Sequence, residues 1–549
     1  MSLAPPPSRR STHEVSNQVP AFADVNLFDA DLPLREAVAR EGANWAEDRL
    51  RETGAVAGSA AAQEHGRRAD RNEPRLVTHD RYGHRLDVVD YDPSWHWLLR
   101  GAIERGIHSL PWREPQPGAH VARAGLEMLW SQLNGGVMCP VSMTYSAIPA
   151  LRRDARIAAD WEPRLTAPDY DAGALCGMAM TEKQGGSDVR AGTTQAADCG
   201  GGWWELTGHK WFCSHPVCDI FLVLAQAPAG LSCFVVERGP GMEIQRLKDK
   251  LGTRSLASGE VEFRAAPGRL LGEEGRGVAA IIDMVTHTRL DCVIGTASAM
   301  RRATAEAVHH ARHRSAFGAR LIDQPLMVNV LADLALESEA ATATALRLAR
   351  AYDEGDANLR RFGTAVLKYW ICKRSIPMIA EALECHGGNG YVEEGPMPAL
   401  LRDVGVNGIW EGSGNVMALD VLRAMAREPD GLPAFLADCE SVRGADSRLD
   451  AHLDTLPRTL AGLADDASVS VTPRETVGRR EASTTAQWQA RRVVEDLALA
   501  FQAALLVRTA PPAVADAFCA GRLGEARGRA FGTLPRGLDA AAVVARVLP

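Results

Sequence analysis

The sequence contains no CxxC pair, although eleven cysteines are scattered along its 549 residues. Paired zinc or redox thiols need that close spacing, and an odd, dispersed set does not make a disulfide framework. The cysteines therefore read as small buried apolar residues of a cytoplasmic protein. No apolar run approaches eighteen residues, so no membrane-crossing helix and no membrane partner are expected. The opening MSLAPPPSRRSTHEV is rich in Pro and Ser without a following apolar segment, which predicts neither signal peptide nor anchor. No GxGxxG follows a strand-like run, which removes the usual nicotinamide fingerprint. Positive charge is short as well: the formal net charge is -8 and no Lys follows Lys373, so the whole chain has no long-range pull toward polyanions. His309, His310 and His313 lie close together but lack the carboxylate spacing of HExxH, and no metal is expected there.

What is present is an ordinary globular composition, 46% hydrophobic and 24% charged, long enough for several domains. Over residues 34–165, stretches such as HVARAGLEMLWSQL place apolar residues three and four apart and predict a mainly α region. Residues 80–91 read as a turn or short hairpin within it. From Cys176 the texture changes to the β-rich runs WWELTGHKWF, DIFLVLAQA, LSCFVVE and VEFRAAP, bounded by Gly, Pro or Asp, which predict a small barrel or sandwich. Helical patterns with Ala- and Leu-rich faces resume after Gly277 and predict a bundle. Beyond Glu428, EPDGLPAF marks a boundary; in the last stretch Val493, Leu497, Phe501 and Leu505 recur every fourth residue, with Arg491, Arg492, Glu495 and Asp496 off that stripe. The expected domains are residues 1–175 (α), 176–280 (β), 281–430 (bundle) and 431–549 (C-terminal helical).

The densest cluster of unusual residues is 385–423, CHGGNGYVEEGPMPALLRDVGVNGIWEGSGNVMALDVLR. Gly387, Gly388 and Gly390 permit positive φ or close backbone approach, and Gly412 and Gly414 flank Ser413 ahead of the apolar run 416–422. Such a turn leaves free amides at a helix N-terminus, suited to a phosphate or to flavin ring oxygens. Glu411 stands between Trp410 and Gly412; a carboxylate beside Trp and Ile has a raised pKa and suits a general base in a water-poor site. Upstream, MTEKQGGSDV (180–189) is a glycine loop with the Thr181 and Ser187 hydroxyls at its ends, and KWFCSH (210–215) is a strand whose Phe212 offers a stacking ring.

In order, GGNGY, RD and IWEGSGN resemble the C-terminal signature of the acyl-CoA dehydrogenase family, GGxGY, RD and IYEGT. Trp410 for Tyr and Ser413 for Thr are departures similar to the family's AidB branch, named for the adaptive response to alkylated DNA. THEVSNQ near Thr12, GAHVARAG near Gly118 and LVRTAPPAVADAFCAGRLG (506–524) are also similar to that branch, so the resemblance covers nearly the whole chain. It implies a mainly α fold with a central β domain: an α domain, a β-barrel or sandwich, a helix bundle holding FAD between subunits of a homotetramer (dimer of dimers), and a C-terminal helical domain. Glu411 falls on the family's catalytic base, and TEKQGGSD matches its flavin loop TExxxGSD, implying Met180 and Thr181 against the flavin and Ser187 toward flavin or acyl-CoA. Set against KxWIT, Phe212 replaces the Trp that covers the isoalloxazine and Ser214 the Thr at its N5 edge. RSAFGARLIDQ resembles RxxFGxxxxxxQ with the Gln one residue early, implying that Arg314, Phe317 and Gln324 reach the FAD of a neighbouring subunit. Gly387, Gly388, Ser413 and Asn415 match flavin-contacting turns, the Thr288–Arg289 pair stands near the substrate channel, and Trp410 narrows that channel. The implied substrate is an acyl-CoA thioester and the implied acceptor electron-transfer flavoprotein or another oxidant.

The C-terminal domain is similar to the part of AidB that carries its DNA-binding surface. Arg479, Arg480, Arg491 and Arg492 are its candidate contacts to double-stranded DNA, since Arg holds phosphate bidentately. Pairing of these Arg with Glu481, Glu495 and Asp496 as a solvated surface is the competing reading. Three functions stand side by side: an acyl-CoA dehydrogenase, a DNA-associated flavoprotein of the alkylation response, and a flavin-bound scaffold whose chemistry has lapsed.

Overall fold

A computed structural model describes residues 12–463 and 484–549. The N-terminal region is built from helices α1 (Leu32–Arg40), α2 (Glu47–Gly58), α3 (Ala60–Arg71), α4 (Pro93–Glu104), α5 (Leu110–Arg113), α6 (Ala119–Trp130), α7 (Met138–Leu151) and α8 (Ala155–Leu165). Several begin where a side chain accepts from a free N-terminal amide: Asp31, Ser59, Asp92 and Asp154 cap α1, α3, α4 and α8. Strands β1 (Arg75–His79) and β2 (Arg85–Asp90) form an antiparallel hairpin, so the turn expected at 80–91 is the tip and second strand of a longer element. It is pinned to the β domain by Asp87, which accepts from the Ile244 amide at 3.0 Å, and by Arg85, which donates to the Ile244 carbonyl at 2.8 Å.

The β domain comprises β3 (Cys176–Ala179), β4 (Gln195–Gly200), β5 (Trp203–Ser214), β6 (Ile220–Ala227), β7 (Gly230–Glu237), β8 (Met242–Leu247) and β9 (Ser258–Leu270). Pairing runs in a closed circuit, β4 to β5 to β9 to β7 to β6 and back to β4, with β3 added parallel to β6 and β8 added antiparallel to β9. Closure leaves few free edges, which is how a small sheet avoids pairing with other chains. β6 is the most enclosed strand, with Ile220, Phe221, Leu222 and Val223 fully buried.

The bundle consists of α9 (Gly277–His313), α10 (Pro325–Asp353), α11 (Thr364–Glu384), α12 (Met397–Asn407) and α13 (Gly414–Arg427). At 1.5 Å per residue α9 is about 55 Å long, so its two ends serve different places. α14 (Gly431–Glu440), α15 (Ser447–Ala461), α16 (Thr484–Thr509), α17 (Pro512–Arg522) and α18 (Ala540–Ala545) complete the chain. These helices close over the bundle: Phe501 of α16 stacks on Phe435 at 5.0 Å, and Phe435 meets Phe362 at 5.4 Å. The Trp370 indole donates to Gln502 at 2.9 Å, and Arg522 joins buried Asp333 and Glu337 at 2.6 and 2.8 Å. Arg546 ties α18 to Glu339 at 2.8 Å and to Glu36 of α1. Phe501→Ala therefore removes a ring shared by both sets of helices, and a loss of about 3–5 kcal/mol is expected in denaturant melts followed by far-UV circular dichroism.

Candidate active site

Glu411 lies in the turn between α12 and α13 with φ at +56°, a left-handed conformation that a non-glycine residue adopts at a cost of about 1–3 kcal/mol. Two cations hold it there. The Lys368 ammonium of α11 donates to the carbonyls of Trp410 and Gly412, each at 2.7 Å, and Arg289 Nε of α9 donates to the carbonyl of Glu411 itself at 2.9 Å. Three consecutive carbonyls are thus turned toward buried positive charge. Arg289 also meets Asp420 at 2.8 Å, and Asp420 accepts from Arg361 at 3.0 Å, which braces the turn against α13 and the start of α11.

The side chain of Glu411 accepts a hydrogen bond from Thr288 Oγ1 at 2.8 Å. Desolvation raises its pKa above the ordinary carboxylate value; the Thr288 bond and the charges of Lys368 and Arg289 oppose that rise, and nearby Asp291 adds to it. The Cys139 thiol of α7 is pushed up to about 12 by burial, with Ser214 of β5 and Lys250 opposing that rise and Glu411 adding to it.

β5 carries a bulge. Its register with β9 slips between Lys210 and Cys213, so Trp211 and Phe212 stand outside the regular ladder, and the Phe212 ring is 54% exposed. The glycine loop is laid against this bulge by a bond from the Trp211 amide to the Thr181 carbonyl at 2.9 Å. What holds the loop was not evident as a role in the sequence: Glu182, 2% exposed, accepts from Lys210 Nζ at 2.8 Å and from the amides of Thr193 and Thr194 at 2.6 and 3.2 Å. Lys210, 1% exposed, also donates to the Leu224 carbonyl at 2.7 Å, so a buried ion pair fastens loop to barrel. Despite burial, those donors keep the Glu182 carboxylate well below its usual pKa, while burial lowers Lys210. Met180 is half-buried and Ser187 exposed on the loop.

The other sequence-derived residues divide by distance. Ser413 and Asn415 flank the start of α13 beside Glu411, and Trp410 is partly buried with its indole N–H unpartnered. Arg289 supports the turn through the Glu411 carbonyl and Asp420. Arg314, Phe317 and Gln324 stand at the opposite end of α9, some 26 residues or about 39 Å from Thr288 along the helix. Arg314 donates to the Asn17 carbonyl, the Asn17 side chain joins Ser315, and Gln324 donates to the Ala316 carbonyl at 2.9 Å. Phe317, at φ +52°, is wholly exposed. Gly387 and Gly388 belong to this far end too, because His386 packs on His310 with ring centroids 4.7 Å apart. Stretch 385–423 therefore contributes its two glycine turns to two separate places. Of the candidate DNA contacts, Arg479 and Arg480 lie outside the described residues; Arg491 donates to Asn415 at 2.9 Å, and Arg492 is exposed.

Residues 17–172 match the adaptive response protein AidB N-terminal domain, residues 177–266 the acyl-CoA dehydrogenase middle domain, and residues 275–426 the acyl-CoA dehydrogenase C-terminal domain. The putative acyl-CoA dehydrogenase AidB of Escherichia coli (strain K12) is 43% identical over 482 residues, 84% of this chain and 89% of that one. Caenorhabditis elegans ACDH-11, solved in complex with C11-CoA, superposes with a TM-score of 0.86 at 27% identity, covering 96% of this chain and 95% of that one. A Bacillus anthracis acyl-CoA dehydrogenase complexed with FAD shares the fold, with a TM-score of 0.64 at 17% identity over 83% of this chain and 85% of that one. The chain belongs to the acyl-CoA dehydrogenase family.

Lys210→Met leaves the Glu182 carboxylate buried without its cation, and a destabilisation of about 3–5 kcal/mol is expected. The loss concentrates in the loop: amide exchange over residues 181–194 accelerates by more than that over β6 or β7, whereas uniform acceleration would deny the pair its local role.

Proposed function

We propose that the protein is an FAD-dependent dehydrogenase that converts an acyl-CoA thioester to its 2,3-enoyl-CoA. The observation that carries this reading is Glu411: a desolvated carboxyl with a raised pKa, bonded to Thr288 and held in a left-handed turn by Lys368 and Arg289. The complex of ACDH-11 with C11-CoA supports the choice of thioester. The residues suit FAD. Phe212 is an exposed aromatic next to Trp211, whose amide holds the loop of Met180, Thr181 and Ser187, and a Cβ placed on Gly387 or Gly388 would meet nothing within 4 Å. Arg314, Phe317, Gln324 and these two glycines lie too far along α9 and α11 to join Glu411 in one copy, so a second copy supplies them to the same flavin. A homotetramer arranged as a dimer of dimers meets that need.

Glu411, ionised, takes the proton from the α-carbon of the thioester, and the Cα–Cβ double bond forms as the β-carbon loses hydride. FAD, when bound, supplies the hydride acceptor at N5, to be reoxidised by electron-transfer flavoprotein or another oxidant. Negative charge gathers on the thioester oxygen during proton removal. Among the described residues the Glu411 amide has no acceptor within the chain, and it serves as a donor to that oxygen. Burial keeps the carboxyl basic enough to remove a weakly acidic proton, and Thr288 steadies its ionised form.

Protein purified with its flavin should be yellow and bleach anaerobically with acyl-CoA thioesters. Glu411→Gln should lower that reduction rate by about 10²–10⁴-fold, and unchanged kinetics would place the base elsewhere. Because the raised carboxyl must be ionised to act, the acid limb of the rate profile lies above the ordinary carboxylate range. Thr288→Val, by removing a bond to the ionised form, should move that limb to still higher pH.

A further inference from the structure

Lys368 is one of very few lysines in the chain and the only one set in an apolar helical run, TAVLKYWIC. Its side chain is 1% exposed. Among the described residues no carboxylate lies within ion-pair distance of it, in contrast to Lys210, which has Glu182. A buried ammonium without a carboxylate partner is costly, and its retention calls for a reason. Two of its three donors are used on the carbonyls of Trp410 and Gly412, which bracket Glu411 on both sides. Arg289 takes the carbonyl between them, but the Arg289 charge is already answered by Asp420. The positive charge at the turn that nothing else neutralises is that of Lys368.

We propose that Lys368 is a positioning residue for the base: by clamping the carbonyls on either side of Glu411 it fixes the left-handed turn, and its unshared charge favours the ionised carboxylate. This role rests on the reading of Glu411 as the proton acceptor. Holding the flanking carbonyls toward α11 keeps the Glu411 amide free and the carboxyl within reach of Thr288. The ammonium lowers the Glu411 pKa against the desolvation that raises it. Among the described residues, the other groups bonded to this carboxyl or coupled to it electrostatically are Thr288, Arg289, Asp291 and Cys292 from α9 and Cys139 from α7. Of these Arg289 acts in the same direction as Lys368 and Asp291 against it; burial pushes the Cys139 and Cys292 thiols far up, so both stay neutral at ordinary pH.

The test compares Lys368→Met, Lys368→Gln and Lys368→Arg in the flavin-loaded protein. Loss of the clamp should lower the rate of flavin reduction by acyl-CoA by about 10²-fold in the Met variant, the usual cost of a misplacement near 1 Å. The acid limb should move to higher pH in the Met and Gln variants and return toward the parent position in Lys368→Arg, which keeps the charge. The Glu411 carboxyl stretch, assigned by its disappearance in Glu411→Gln, should titrate with the same shifts in infrared difference spectra. In a Glu411→Gln background, Lys368→Met should cost little more, because the two residues act as one unit. An unshifted limb and carboxyl titration in the neutral variants, or an equal cost in both backgrounds, would overturn the proposal. If the Met variant does not fold, Lys368→Gln, which keeps a donor amide toward the carbonyls, decides the same points. Unchanged reduction in Glu411→Gln would instead place the base elsewhere, and a flavin that no acyl-CoA thioester reduces would reject the dehydrogenase reading; the infrared titration alone would still judge Lys368.

Discussion

The capture of three successive carbonyls by two buried cations is the interaction on which the candidate site depends. A peptide that turns left-handed at a glutamate resists its own conformation, and here fixed donors from α9 and α11 hold it. Lys368 and Arg289 are those donors. Their charges then act on the carboxyl they have placed, so one set of contacts determines both where Glu411 stands and how readily it ionises.

Burial of charge recurs as the means of joining elements distant in sequence. Lys210 and Glu182 fasten a glycine loop to the barrel wall. Arg123 of α6 is enclosed with Glu127 and Asp291, which ties the N-terminal helices to the segment of α9 that carries Thr288. Arg522 with Asp333 and Glu337 does the same for the C-terminal helices. Each pair is expensive unless every donor finds an acceptor, and breaking one leaves a stranded charge, so such contacts enforce a single register between layers.

Length does separate work. α9 and α11 run in parallel from the Glu411 turn toward the Gly387 turn, His386 against His310 marking their far ends. A rigid rod about 55 Å long cannot bring both ends to one ligand. The exposed Phe317 ring and the open Gly387 and Gly388 backbone stand at the end away from Glu411.

Periodicity alone determined much of this protein: the helical N-terminal region, the switch to short β runs at Cys176, the long helices after Gly277 and the α16 stripe of Val493, Leu497, Phe501 and Leu505. Those signals are local, arising from residues a few positions apart on one element. Glu411 was singled out less by its local neighbours, Trp410 and Gly412, than by the resemblance of IWEGSGN to a family motif. Only the tertiary structure decided what Lys368, Glu182 and Asp420 do, because each acts on partners far away in sequence: Lys368 on carbonyls 42 and 44 residues on, Glu182 on Lys210, Asp420 on Arg289 and Arg361. The closure of α16 through α18 over the bundle, and the parting of the two glycine turns of 385–423 to opposite ends of α11, were likewise settled by packing. A charge in an apolar run shows in sequence that something must answer it; which group does so is fixed by geometry across the fold.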